Sequence, residues 1–436
     1  MQDVQVHVIG GGFAGVEAAV LLARGGIRVR LSEMKPLRFS PAHSSAELAE
    51  LVCSNSFKAV RTESAAGLLK EEMRRLGSLC LQVAARAQVP AGGALAVDRG
   101  EFSRLITQAV EAEPNIRLCR EEITRLPEEG LVIVAAGPLA SEALSGSIAA
   151  LCGEGLRFYD AAAPIITAES VDKSRAFTAS RYDRGGEEDY LNCPLELEAY
   201  EAFWEALVSA ERARTHEFDV YEGCMPIEVL AARGKDAIRY GPMKPVGLRD
   251  PATGKRPWAL LQLRRENRAG SLYNLVGFQT NLKFGEQRRV FSMIPALRRA
   301  EFVRYGVMHR NTFLDAPRLL DADLQCRRRR GLYFAGQITG VEGYMESAAS
   351  GLLAGRNVLR ALQGKAPLRL PPTTMLGALC RYSSDKTITN FQPMGANFGL
   401  LPPLAAHIRD KRQRYEALAA RAIADLNRYL SEEEER

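Results

Sequence analysis

Gly10, Gly12 and Gly15 stand at G-x-G-x-x-G spacing, and Glu33 follows at the end of the next apolar run. Together these residues can hold the phosphates and ribose of a dinucleotide. Gly10 allows a tight turn, Gly12 lets the backbone approach a pyrophosphate, and Gly15 lets a helix pack closely on a strand. The helix beginning there offers free N–H groups and the positive end of its dipole to the phosphates. A carboxylate at Glu33 accepts from both ribose hydroxyls of an adenosine. The expected cradle is therefore Gly10, Gly11, Gly12, Phe13, Ala14 and Gly15, with Glu33. A glycine turn without a ligand is the alternative reading.

The flanking residues supply the elements that such a cradle needs. Val4, Val6, Val8 and Ile9 predict a buried strand, and Ile27, Val29 and Leu31 a second one. Val16, Ala19, Val20, Leu22 and Ala23 recur at helical spacing between them. Far downstream, 331–351 reads GLYFAGQITGVEGYMESAASG: a strand, a tight turn and the mouth of a helix. In large FAD proteins a late strand ends in such a turn, and the next helix points its N-terminus at the flavin. Gly336, Gln337 and Tyr344 are expected at that position, Tyr344 as a stacking ring or a core aromatic. VIVAAG (132–137) resembles the strand and turn before the chain leaves such a fold. No second G-x-G-x-x-G with flanking strands follows. The expectation is one tightly bound FAD, with NADH or NADPH visiting it directly.

With 436 residues, 25% charged and 46% hydrophobic, the chain has the composition of a globular protein with about two domains. No apolar run reaches the length of a membrane span. Residues at the start enter a strand at once, so no signal peptide and a cytoplasmic location are expected. Eight cysteines, at 53, 80, 119, 152, 193, 224, 326 and 380, form no C-x-x-C and no zinc-spaced cluster. Free thiols and no metal are expected. The net charge is only +6, but Arg264, Arg265, Arg268, Lys283, Arg288, Arg289, Arg298, Arg299, Arg304 and Arg310 crowd one stretch. Arg327 to Arg330 make a run of four. Charge alone leaves two readings open, a solvated face and a phosphate-binding surface.

Strand and helix patterns alternate through the first 165 residues, as a nucleotide-binding fold requires. A helix is expected near 43–53, with Ser44 or Ser45 capping AELAELV, and others over 64–77 and 195–212. Strand-like pieces follow at 218–230, 258–267 and 272–280. A Pro-rich linker (365–374), two helices and a frayed acidic tail (SEEEER) complete the chain. The expected fold is α/β: a discontinuous Rossmann-like FAD-binding domain, 1–165 and 320–436, interrupted by an α+β domain, 166–319.

Six strings carry a family resemblance. They are VCSNSFKA (52–59), YEGCMPIE (221–228), YGPMKPVGL (240–248), LYNLVGFQTNLKFGEQRRVF (272–291), AEFVRYGVMHRNTFLDAP (300–317) and FQPMGANFGLLPPL (391–404). Across essentially its whole length the chain resembles the folate- and FAD-dependent tRNA (uracil-5-)-methyltransferase family, TrmFO. Gly395, Arg265 and Phe284 depart from the family's usual Asn, Gln-like residue and Trp. The resemblance implies methylation of C5 of the T-loop uridine at position 54 of tRNA. The carbon comes from 5,10-methylenetetrahydrofolate, and the hydride from FAD reduced by NAD(P)H. It implies a catalytic pair, Cys53 in VCSNSF and Cys224 in EGCMP. Cys224 is expected as the thiolate adding to C6 and Cys53 as the acid/base partner or second thiol, with the reverse left open. The resemblance also tips the basic stretch toward tRNA, with Arg264, Arg288, Arg289, Arg298 and Arg299 as expected phosphate contacts. Three alternatives remain at this level: a wobble-uridine enzyme of the sister family, a flavin-dependent thiol–disulfide reductase, and a non-catalytic, flavin-stabilised RNA-binding protein.

Overall fold

The computed structural model describes residues 4–153, 156–181, 189–213, 225–389 and 391–434. Five parallel strands form the first sheet: β1 (Val6–Ile9), β2 (Val29–Glu33), β6 (Ile116–Arg120), β7 (Leu131–Val134) and β16 (Leu332–Phe334). Their order is β16-β7-β1-β2-β6. Val8, Leu31, Ile133 and Val134 are fully buried, as strands covered on both faces must be. The edge strand β16 pairs with β7, so the two distant halves of the nucleotide signature build one sheet.

Helix α1 (Phe13–Arg24) leaves the glycine turn and packs against α11 (Tyr344–Leu362). The seam is made by small residues. A Cβ on Gly351 would lie 2.1 Å from the Ala14 carbonyl oxygen, and one on Gly355 would lie 3.0 Å from the Ala18 Cα. Around this pair stand α2 (Ala65–Arg75), α3 (Leu79–Arg86), α4 (Arg99–Glu111) and the small sheet β3 (Ser56–Ala59), β5 (Ala94–Val97), β4 (Gln88–Val89). Ser64, Ser78 and Asp98 cap the three helices. The buried Glu17 carboxylate also accepts from Leu79 and Cys80 N–H at the start of α3.

After α5 (Glu142–Cys152) the chain departs on β8 (Leu156–Ala161) and returns antiparallel to it on β15 (Met308–Phe313). Between them lies a six-stranded sheet: β9 (Ile165–Thr167), β10 (Phe177–Thr178), β11 (Tyr190–Leu195), β12 (Ala259–Arg265), β13 (Leu272–Leu275) and β14 (Phe302–Arg304). Its order is β10-β11-β12-β13-β9-β14, and every pair is antiparallel. Helices α6 (Leu197–Ser209), α7 (Ile227–Ala231), α8 (Ala237–Tyr240) and α9 (Phe284–Phe291) belong to this part. It has its own core, in which Phe203, Phe278 and Phe291 are fully buried. The short α10 (Ala316–Leu319) leads back to β16, and α12 (Met375–Ser384) and α13 (Lys411–Glu434) follow α11.

Three local expectations are corrected. Residues 43–53 form no helix, because tertiary partners take their polar groups. Glu50 accepts from Ser44 and Ser45 N–H, Leu48 N–H donates to Thr107 Oγ1, and Ala49 N–H donates to the Gly11 carbonyl from a left-handed φ of 46°. The strand expected to reach 230 is helical over Ile227–Ala231, where the buried Glu228 accepts from Thr280 Oγ1 and Asn281 N–H. Residues 218–224 of that expectation lie outside the described residues. The acidic tail is helical to Glu434, with Ala422 and Leu426 buried and Glu433 paired with Arg360 at 2.6 Å.

Candidate active site

The glycine turn opens into a cleft with about 1060 Å³ of empty space, open solvent included. Every cofactor residue expected from the sequence lines it except Gly15. Gly15 instead closes the turn, since a Cβ there would stand 1.8 Å from the Gly10 carbonyl oxygen. Gly10 has φ +104°, which a side chain would strain, and its own Cβ position lies 2.5 Å from the Ala135 carbonyl oxygen. A Cβ on Gly12 would meet nothing within 4 Å, and Gly12 leaves the N-terminus of α1 without a side-chain cap. The free N–H groups of α1 therefore face the cleft, as phosphate binding requires. Glu33 accepts from Gly11 N–H at 2.7 Å and Lys35 N–H at 2.9 Å. A carboxylate has further lone pairs for ribose hydroxyls. On the opposite wall, Ser350 of α11 accepts from Gly336 N–H at 2.7 Å and so holds the second turn. These residues fit a dinucleotide flavin.

Cys53 does not line this cleft itself, but its neighbour Val52 and its partner Tyr344 do, and its loop is pinned from several directions. Its N–H donates to the Tyr344 hydroxyl at 2.9 Å, and its Sγ is 3.1 Å from the same oxygen. Burial pushes the Tyr344 phenol well above its ordinary range, so it keeps its proton. Having accepted from Cys53 N–H, it has that proton to donate to Sγ. The Tyr344 ring packs on Phe13 at 4.8 Å, which ties the thiol to the start of α1.

The remaining pins come from elements far away in the chain. Arg99 Nη1 donates to the Leu51 carbonyl at 2.8 Å, and its Nε pairs with Glu266 just beyond β12. Arg264, on β12, donates to Ser54 Oγ and Asn55 Oδ1, both at 2.9 Å. Asn55 Nδ2 donates in turn to the Arg265 and Val97 carbonyls at 3.0 Å. Glu266 is 4% exposed, and burial pushes its carboxyl up against the pull of Arg99 and Arg264. The interrupting sheet thus grips the loop that carries the thiol. Arg99, Glu266 and Asn55 were not anticipated; only Asn55 lay inside a recognised string, VCSNSF.

Cys224 lies outside the described residues. Cys80, Cys152, Cys193, Cys326 and Cys380 are buried and Cys119 is half-buried, all as free thiols. Arg264 is a correction: at 6% exposed it is no part of a basic surface, because its guanidinium is spent on the Cys53 loop. Arg288 and Arg289 on α9, and Arg298 and Arg299 after it, are exposed; Arg289 pairs with Glu286 at 2.6 Å. The run of four arginines is mostly structural. Arg327, Arg328 and Arg329 donate to the carbonyls of Pro317 and Ser384, Leu151 and Pro127 respectively. Gly395 sits at the mouth of α11, where a Cβ would lie 3.2 Å from the Glu342 carbonyl. Among the described residues no helix is long and apolar enough to cross a membrane.

The family profile described as GIDA, glucose inhibited division protein A, matches residues 5–366. The methylenetetrahydrofolate–tRNA-(uracil-5-)-methyltransferase TrmFO of Moorella thermoacetica is 58% identical over 423 residues, covering 96% of this chain and 97% of its own. Its counterpart from Pelotomaculum thermopropionicum is 56% identical, covering 97% of this chain and 98% of its own. Among solved structures, GidA of Aquifex aeolicus aligns with a TM-score of 0.71 at 17% identity, over 98% of this chain and 73% of its own. That likeness shows a shared fold. The chain therefore belongs to the GidA family and, within it, to the TrmFO proteins.

Proposed function

We propose that this protein methylates C5 of a tRNA uridine with methylenetetrahydrofolate as carbon donor, and that the target is the T-loop uridine at position 54. Full-length similarity to proteins of that name supports the reaction class. The observation that carries the site is the Cys53 thiol, hydrogen-bonded to Tyr344, which lines the cleft of the glycine turn. We read 1–165 and 320–436 as the flavin-binding unit and 166–319 as the substrate unit, in a cytoplasmic enzyme.

C5 of uracil is too weak a nucleophile to attack a one-carbon donor. A thiolate adding to C6 makes C5 an enolate carbon, which attacks the methylene and breaks one of its two C–N bonds. A base then removes the C5 proton, and the electron pair it releases breaks the second C–N bond, so that tetrahydrofolate leaves and an exocyclic methylene remains on C5. The carbon must still gain a hydride before the thiolate leaves, and bound FAD, reduced by NADH or NADPH, supplies it. We assign the C6 addition to Cys224 and the proton handling or second-thiol role to Cys53. Tyr344 holds Cys53 and has a proton to give it. Gly10 to Ala14, Glu33, Gly336 and Gln337 would hold the cofactor. Arg288, Arg289, Arg298 and Arg299 would meet tRNA phosphates, giving a steep salt dependence that becomes shallower as they are removed.

The test is methylation in vitro, with tRNA, methylenetetrahydrofolate and NAD(P)H omitted one at a time. Product should need all three, S-adenosylmethionine should not replace the folate, and the methyl group should map to the T-loop. Turnover without folate, or modification at the wobble base, would refute the proposal. With tRNA carrying 5-fluorouracil, losing the covalent adduct in only one of Cys53→Ala and Cys224→Ala names the nucleophile. Equal adduct in both variants would sink the pair.

A further inference from the structure

The interrupting sheet ends in a surface that the methyl-transfer chemistry leaves unexplained. Phe284 opens α9 and is 55% exposed. Its ring stacks on Tyr305 at 4.8 Å with only 16° between the planes. Tyr305 stacks in turn on Phe302 at 5.3 Å and 7°. Three rings thus form a ladder rooted in the core through Phe291, with Phe284 as its outer rung. Single exposed aromatics are common, but an ordered stack with an open outer face is a preformed platform for another flat ring.

The setting selects the ring. Lys283 stands just before α9 and Arg289 lies on it, each with one acidic partner, and Arg288 is exposed beside them. The strand at the root of the ladder reaches toward the partners of the Cys53 loop. Tyr305 follows β14, the sheet's edge strand, and its neighbour Arg304 interacts electrostatically with Tyr344, Arg99 and Glu266. An unstacked RNA base has a π-face and an adjoining phosphate, which is the combination that an aromatic ring among cations binds.

We propose that the outer face of Phe284 stacks a nucleobase of the tRNA substrate next to the one being modified, with Tyr305 and Phe302 holding the ring in place. The assignment rests on tRNA being the substrate. A base lifted out of its stack leaves neighbours whose faces are newly exposed, and the ladder covers one of them.

The experiment is equilibrium binding of tRNA to the flavin-loaded protein, without folate, over a range of salt. Phe284→Ala should weaken binding about tenfold, the scale of one lost base stack, while Phe284→Trp keeps it. The slope of log K against log salt should be unchanged in Phe284→Ala and shallower in Arg288→Gln. Flavin absorbance and melting temperature should match the parent in each. Affinity of Phe284→Ala within twofold of the parent would overturn the proposal. A raised KM for methylenetetrahydrofolate with tRNA affinity intact would also overturn it, because the ring would then serve the pterin. If the parent binds tRNA but never transfers carbon, the methyl-transfer reading fails while the stacking result stands by itself.

Discussion

The seam between α1 and α11 and the loop carrying Cys53 bound the same cleft, yet they are held by opposite means. The seam is backbone against backbone: Ala14 and Ala18 on one helix, Gly351 and Gly355 on the other. Its order comes from shape and dispersion, which forgive almost no added volume. In the loop only Leu51 joins the apolar core. Arg99, Arg264 and Tyr344 hold residues 51–55 by hydrogen bonds reaching across 48 to 291 residues of chain. A cradle for a tightly bound cofactor needs permanence. The Cys53 thiol, proposed to work beside the cofactor, is positioned by polar groups from both parts of the molecule.

Substitutions should therefore separate the two. Gly351→Val should have the largest effect, since the new Cβ meets the Ala14 carbonyl at 2.1 Å and the helices must part. The variant should be recovered without flavin or unfolded, at a cost of about 3 kcal/mol or more. The ratio of flavin to protein absorbance checks this, and a parental ratio would show that the seam gives way more easily than its geometry implies.

Arg99→Met comes next, because it leaves Glu266 buried without its cation, at a cost of about 3 kcal/mol. Arg99→Met with Glu266→Leu should recover most of that stability in a melting experiment while methylation stays low. Recovery of both would mean that the clamp only stabilises. Tyr344→Phe should cost about 1 kcal/mol and keep its flavin, while methyl transfer slows about tenfold or more. An unchanged rate would free the phenol from any part in positioning Cys53.

The effect smallest at neutral pH lies under the cradle. His7 on β1 bonds Ser32 Oγ at 2.8 Å, and burial, helped by Arg30, pushes its pKa down to about 4. Between that value and the ordinary 6.5 the unfolded chain binds a proton that the folded chain refuses. Stability should therefore fall as pH drops through this window. His7→Gln should flatten that part of the curve, measured by denaturant midpoints at successive pH values.

The cradle could be read in advance because its information is local. The glycine spacing, the apolar run before it and the acid after it sit within thirty or so residues, and each obeys a short-range steric or periodic rule. Ser64 capping α2 and Asp98 capping α4 are local in the same sense, although neither cap was expected. The cysteines proposed as catalytic entered through resemblance, since a cysteine's local sequence says little about what will surround its sulfur. Burial escaped composition altogether. Arg264 counted as one of many surface arginines until β12 placed it against Asn55, and 43–53 looked helical until Thr107 and Gly11 took its N–H groups. Hydrophobic period, turn chemistry and helix caps depend mainly on neighbours in the chain, so the amino-acid order settles them wherever tertiary partners do not compete. Which charges are buried, and which hydroxyl meets the Cys53 thiol, depend on neighbours in space, and those exist only once two distant stretches have packed together.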